Sequence, residues 1–305
     1  MAKSFKDLLP SELIHHVTAI CGRDGEEWVD GLENNVRELE SMWSIKALDP
    51  FAAGEFNYVA PARLSNGELA VVKLAPPYET TEIFAEAAYL RAHDGHGAVH
   101  LIAEDRSKKA ILIEHALPGR NMTESFEDDE PASVEPAIRA LKASLLPPPV
   151  GASDLVDLDR WFDGLRRFSS TEFPADYATK ALKIYDDLSG GTSQTFYLHG
   201  DFHPGNLVTA VREPFLLIDP KGMVGHIGYD IACFLNNFHW WQDEKRDVAS
   251  RLHKAVVQFA DAFHIDPFEL RQWAFAQMVL GAWWTFDEMP EFYDNEVAKA
   301  DVWKV

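Results

Sequence analysis

The balance of hydrophobic periodicity shifts along this chain, and the shift divides it. Between residues 43 and 114 most apolar positions fall in short strand-like runs, whereas from 159 to 286 they recur at helical spacing. The sharpest local signal lies in the first part. Runs over 56–64 and 68–75 flank Asn66-Gly67, two residues that both tolerate positive φ, so a tight hairpin is expected there. Residues 43–48, ahead of a turn over 50–54, read as another strand. The first forty residues read as helix, with a start at Leu9-Pro10-Ser11-Glu12 and helical spacing over 28–39. Residues 78–92 form the next expected helix, with Ile83, Phe84, Ala87 and Leu90 on one face. Strands over 99–103 and 110–114 flank the polar turn 104–109.

Residues 115–119 look like a linker. Beyond them come an acidic loop, 124–130, a triple proline, 147–149, and helical spacing over 159–169, 176–188, 229–240, 247–263 and 267–286, with one short strand pair. The expected class is α+β. A small antiparallel-sheet lobe spans 1–115, a hinge 116–120, and a larger, mostly helical lobe 121–305.

Composition narrows the classes of function. Of 305 residues, 47% are hydrophobic and 25% charged, values of a folded globular protein. The net charge of −21 argues against nucleic acid, whose phosphates need clustered lysine and arginine. It suits a cationic ligand or simply a solvated acidic surface. Cys21 and Cys233 belong to no Cys-x-x-Cys pair, so neither a disulfide scaffold nor a zinc site is expected. No apolar leader follows Met1 and no stretch has the length of a membrane span, so no membrane association and a cytoplasmic location are expected.

The chemistry concentrates in Tyr197-Leu198-His199-Gly200-Asp201-Phe202-His203-Pro204-Gly205-Asn206-Leu207-Val208. A short apolar strand, 215–218, follows and ends in Asp219-Pro220-Lys221-Gly222. Phosphoryl transfer needs a carboxylate to accept the proton of the attacking hydroxyl, and hard oxygen ligands to hold magnesium against phosphates. Asp201 and Asn206, four residues apart, have the Asp-x-x-x-x-Asn spacing of a kinase catalytic loop, and Asp219 ends the next strand. Singly, each is an ordinary turn former; their combined order carries the signal. His199 and His203 lack the further ligands that a zinc site requires.

These motifs resemble the aminoglycoside phosphotransferase family, small-molecule relatives of protein kinases. The Asp219-Pro220-Lys221-Gly222 ending is similar to the branch of streptomycin 6-kinases and hydroxyurea phosphotransferases. The resemblance is specific around 197–235. It implies a protein-kinase-like two-lobed fold, ATP and magnesium as cofactors, Asp201 as catalytic base, and Asn206 and Asp219 as metal ligands. It further implies that His199 anchors the loop, and that the 114–116 backbone, at Glu114 and Ala116, hydrogen-bonds adenine. Asp230 then steadies the catalytic loop, or else serves only as a helix N-terminal acid. Lys221 pairs with Asp219 or with phosphate.

Lys73 can be argued from burial. Its strand is apolar on both faces, so it is either a buried ammonium that needs a partner or a snorkelling lysine on an edge. Glu86, thirteen residues on, borders the apolar face of the following helix, and Glu82 is the alternative partner. A Lys73–Glu86 pair is the kinase arrangement that serves the α- and β-phosphates. The loop over 52–58 has one glycine and no Gly-x-Gly-x-x-Gly. Gly54 either lets backbone approach the phosphates or turns an ordinary hairpin.

For the acceptor, a small hydroxyl compound is expected. Residues 283–288, Trp-Trp-Thr-Phe-Asp-Glu, set aromatics beside acids and suit a cationic aminocyclitol, or form a core helix with a solvated end. Trp240 and Trp241 carry the same two readings. Streptomycin or a similar aminocyclitol heads the expected acceptors. A sugar or amino-alcohol kinase and a non-catalytic nucleotide-binding module are the alternatives.

Overall fold

The computed structural model describes residues 4–52, 54, 56–78, 82–150, 155–167, 172–191, 194–238, 248–288 and 296–305. They pack as two compact units, 1–116 and 117–305.

The first unit begins with helix α1 (Ser11–Trp43), broken at Gly22, where φ is 56° and ψ −128°. That break presses the chain onto itself, because a Cβ on Gly25 would lie 2.3 Å from the Val17 carbonyl oxygen. Strands β1 (Ile45–Ala47), β2 (Tyr58–Leu64) and β3 (Leu69–Leu74) follow, then α2 (Glu82–His93), β4 (Leu101–Asp105) and β5 (Ala110–Glu114). They form one antiparallel sheet in the order β1-β2-β3-β5-β4. Leu13, Val17, Leu32 and Leu39 on α1 bury against Ala60, Ala62, Ala70, Val72 and Leu74 on one sheet face. Each such leucine contributes about 1.5–3 kcal/mol by leaving water. Lys73 points to the opposite face, towards α2, so β3 is covered on both sides.

The hairpin at Asn66-Gly67 forms with a different turn from the expected one. Gly67 N–H donates to Leu64 O, and Leu64 N–H donates to Glu68 O, both at 2.9 Å. Of the two residues only Gly67 takes positive φ, 90°. The loop is therefore a three-residue turn closed by a glycine bulge, and Asn66 Oδ1 accepts from Glu68 N–H instead.

The second unit contains β6 (Pro118–Asn121), α3 (Met122–Ser125), α4 (Val134–Ala143), β7 (Val156–Asp157), α5 (Leu158–Arg167) and α6 (Ala175–Gly191). After these come β8 (Phe196–Leu198), β9 (Leu207–Ala210), β10 (Leu216–Leu217), β11 (Met223–Gly225), α7 (Gly228–Phe238), α8 (Val248–Phe263) and α9 (Pro267–Glu288). The strands make two three-stranded sheets, β10-β9-β6 and β7-β11-β8, where one strand pair was expected. Residues 118–120, read above as part of a hinge, are an edge strand paired with β9. Proline fits an edge because it has no N–H to donate. The acidic loop expected over 124–130 starts inside α3, whose first turn is capped by Asn121 Oδ1 accepting from Glu124 N–H.

The five expected helices are present with shifted ends; residues 168–169, 239–240 and 247, and with them Trp240 and Trp241, lie outside the described residues. Helix α7 is buried on nearly every side and packs against α9. Asn236 of α7 donates to Ala274 O at 2.9 Å and accepts from Trp303 Nε1 at 2.8 Å. That packing fixes the helix whose first turn carries Asp230. Trp283 is a core residue, edge-on to Phe173 at 5.4 Å and packed on Gly164. Asp287 is exposed.

Candidate active site

The turn after β8 is held mainly by polar groups that reach backbone atoms. Asp230 accepts from His199 N–H through Oδ2 and from Gly200 N–H through Oδ1, both at 2.8 Å. His199 Nδ1 accepts from Asp201 N–H at 3.2 Å, so its ring proton sits on Nε2 and donates to Ile218 O at 2.9 Å. Lys221 N–H donates to His199 O at 2.7 Å, and Ile218 N–H to Asn206 O at 3.1 Å. Residues 199–206 and 218–221 are thus laced into one unit. Gly200 has φ of 81°, and a Cβ there would lie 2.6 Å from Met223 Sδ. Only glycine fits without strain.

This lacing sets the three acidic and amide side chains. Asn206 Nδ2 donates to Asp201 O at 3.0 Å and to Asp201 Oδ2 at 3.2 Å. The Asn206 amide oxygen is itself an acceptor of the kind a hard metal ion takes. Asn206 is buried, whereas the Asp201 side chain is 38% exposed and can be reached by substrate. Asp219 follows Ile218 directly, and its φ of 57° puts it in the left-handed region, a conformation that costs a non-glycine residue energy. His203 Nδ1 accepts from Gly205 N–H at 3.1 Å and so shapes the turn. Among the described residues no three His, Cys, Asp or Glu side chains gather around a metal position. Magnesium asks for less: it binds through one or two protein oxygens and takes the rest from phosphates and water. The Asn206 amide oxygen and the Asp219 carboxylate, on segments joined by the bond from Ile218 N–H to Asn206 O, are donors of that kind.

Burial sets the charge of the anchors. It pushes His199 down to about 3, so the imidazole is neutral and keeps its two opposed hydrogen bonds. Burial also pushes Asp230 up to about 7, against the two amide donors that favour its ionised form. Asp230 is therefore poised near neutrality while holding the turn. The Cys233 thiol, also driven up by burial, lies behind Gly200 with Sγ 3.9 Å from its carbonyl oxygen.

The remaining expected residues lie in the first unit. Lys73 Nζ donates to Glu86 Oε2 at 2.6 Å, and both side chains are under 10% exposed. Glu82, one turn earlier, is exposed. A buried pair such as this holds only with good geometry, since each charge is costly to desolvate. A Cβ on Gly54 would lie 3.0 Å from Asn57 O, a tight contact that a side chain would have to relieve by a small shift. At the end of the unit Glu114 is tied to His100: its N–H donates to His100 O at 2.8 Å and its carboxylate accepts from His100 N–H at 3.0 Å. Ala116 is buried, and among the described residues its N–H has no acceptor.

Two participants escaped the sequence. Ile218 ties both its amide and its carbonyl to the catalytic turn, and Met223 packs where any side chain on Gly200 would go. Neither residue type signals such a role. Only the positive-φ glycine beside Asp201 offered a hint that something fills the space above it.

The family model for aminoglycoside/hydroxyurea antibiotic resistance kinases matches residues 43–288. Streptomycin 6-kinase of Streptomyces glaucescens is 27% identical over 290 residues, covering 92% of this chain and 91% of that protein. Hydroxyurea phosphotransferase of Kitasatospora aureofaciens is 28% identical over 313 residues, covering 96% and 85%. Among solved structures, aminoglycoside phosphotransferase APH(4)-Ia superposes with a TM-score of 0.60 at 12% identity, covering 89% of this chain and 96% of that one, a likeness of fold. With its α+β, protein-kinase-like fold, the chain belongs to the family of aminoglycoside/hydroxyurea antibiotic resistance kinases and is a phosphotransferase.

Proposed function

We propose that this kinase moves the γ-phosphoryl group of ATP to a hydroxyl of a cationic aminocyclitol such as streptomycin. The observation that carries the reading is the Asp201–Asn206 contact. Asn206 Nδ2 restrains one oxygen of a solvent-reachable carboxylate, and the amide's own oxygen is an acceptor of the kind a metal ion takes. Asp201 accepts the acceptor's hydroxyl proton as the oxygen attacks phosphorus. Asn206 orients that carboxylate. Magnesium, which Asn206 and Asp219 would hold, neutralises charge on the phosphates when bound. His199 and Asp230 keep the turn rigid, so that the base and the metal ligands need no rearrangement to react. Lys73, set by Glu86, serves the α- and β-phosphates, Gly54 gives the phosphates access to backbone, and the Ala116 N–H and Glu114 carbonyl serve adenine. Lys221 contributes through its backbone bond to His199.

The acceptor class is supported by the relatives, one named for streptomycin over nearly its whole length, and by the net charge of −21, which favours a cation. Incubation with ATP, magnesium and a panel of aminocyclitols, aminoglycosides, sugars and amino alcohols tests it. A streptomycin product heavier by one phosphoryl group is expected. Magnesium-dependent ATP binding without any phosphorylated product across the panel would favour a non-catalytic nucleotide-binding module, and turnover of a sugar or amino alcohol alone would move the acceptor class.

A further inference from the structure

A cavity of about 660 Å³ opens in the second unit, bounded among others by Lys142, Phe196, His226, Phe263, Asp266 and Glu269, with no residue of the catalytic turn in its wall. Its place in the fold is telling. Phe196 begins β8, and His226 directly follows β11, its antiparallel partner, in the register Phe196 to Gly225 and Leu198 to Met223. At the opposite end of that ladder, Met223 packs on Gly200 and Lys221 holds His199. Cavity and catalytic turn are thus two ends of one strand pair, about 10 Å apart along β8 at about 3.3 Å per residue.

The chemistry of the wall selects a ligand. His226 Nδ1 accepts from Gly228 N–H at 3.2 Å, which leaves the ring proton on Nε2, and the ring is stacked on Trp273 at 5.4 Å. Burial holds this imidazole down to about 4, so it is neutral. Its Nε2 stands 3.7 Å from Glu269 Oε1, and among the described residues no lysine or arginine pairs with Glu269. The ammonium of Lys142 instead lies over the Phe263 ring, 5.5 Å from its centre. Asp266 Oδ1 caps α9 by accepting from Phe268 N–H at 2.7 Å. Two carboxylates against one ammonium, between aromatic walls, favour a small cation with an apolar body.

We infer that this cavity binds a compact primary amine carrying an apolar group, with the ammonium on Glu269, and that occupancy is passed along β8 and β11 to His199 and Gly200. The inference is independent of the acceptor proposed above. Calorimetric titration of the whole chain with benzylamine, without nucleotide, tests the site, with benzyl alcohol as the uncharged counterpart. Saturable benzylamine binding is expected, at least about tenfold tighter than benzyl alcohol and weakened at least about tenfold by Glu269→Gln, the scale of a lost charge-assisted bond. Ala262→Trp, which sets an indole in the cavity wall, should abolish binding, and Asp201→Asn should leave it unchanged. No saturable binding, equal affinity in Glu269→Gln or Ala262→Trp, or loss in Asp201→Asn would overturn the site. The backbone amide resonances of His199 and Gly200 should shift on saturation in wild type and stay fixed in Ala262→Trp. Resonances unmoved by bound benzylamine would overturn the transmission.

Discussion

Lys73 and Glu86 stand on a regular strand and a regular helix, and a 2.6 Å ion pair joins them. Asp201, Asn206 and Asp219 stand instead on irregular backbone, fixed by bonds from Asp230, His199, Ile218 and Lys221. The first arrangement takes its precision from secondary structure and from a buried ion pair. The second takes it from buried polar groups, so that no single bond is decisive but backbone shape is. Damage should therefore stay with its partner in the first unit and spread through the backbone in the second.

The largest expected effect lies in the second unit and is purely chemical. Asp201→Ala should lower kcat about a hundred- to ten-thousand-fold, the range of a lost general base, with thermal stability unchanged because that carboxylate is not among the anchors. A matching fall in melting temperature would show that Asp201 is structural. Next comes the ion pair. Lys73→Met leaves Glu86 buried without its cation and should cost about 3–5 kcal/mol in denaturant unfolding. Lys73→Met combined with Glu86→Leu should recover most of that stability yet leave ATP binding weak. Recovery of both would make the pair a packing device only.

Gly200→Ala sharpens the contrast from the other side. It forces a side chain into a left-handed position against Met223, costing about 1–3 kcal/mol, and should lower kcat although it touches no substrate. Loss of stability with full kcat would mean that the turn tolerates displacement.

The smallest effect is in pH. His199 and His226 have folded values of about 3 and about 4, below the ordinary 6.5, so their contributions are present above pH 6.5 and are lost as pH falls towards those values. Asp230, raised to about 7, runs the other way: its contribution is present below 3.8 and is lost as pH rises through 7. Between pH 4 and 6.5 two histidine protons oppose one carboxyl proton. From these groups stability should rise by about 1.4 kcal/mol per pH unit, measurable as urea midpoints at pH 4.5 and 6. His226→Gln should flatten that slope by a similar amount; an unchanged slope would mean that His226 is protonated in the fold.

The same contrast explains what was legible in the sequence. Strand β3 and helix α2 are regular, so periodicity and burial, with the kinase arrangement in view, led to Lys73 and to Glu86 or Glu82 as its partner, and the structure pairs it with Glu86. The Asp201–Asn206 spacing was readable because it is local. Strands β7, β8 and β11 were not, since two or three residues are too few to show a period and β7 pairs with a distant segment. The role of Asp230 crosses about thirty residues to reach His199 and Gly200, and only the family resemblance anticipated it. Nothing about Met223 marked it as the neighbour that makes Gly200 obligatory. The turn at Asn66-Gly67 was located correctly but given the wrong geometry, because dipeptide chemistry does not fix which of the two residues takes positive φ.

The proposed division of labour between base and metal ligands is tested most directly by titrating ATP, with and without magnesium, into wild type, Asp201→Ala and Asp219→Ala. Asp201→Ala should bind magnesium-ATP as wild type does while its transfer rate falls about a hundred-fold or more, and Asp219→Ala should lose the magnesium-dependent part of the affinity. Wild-type magnesium-ATP affinity in Asp219→Ala would contradict the account.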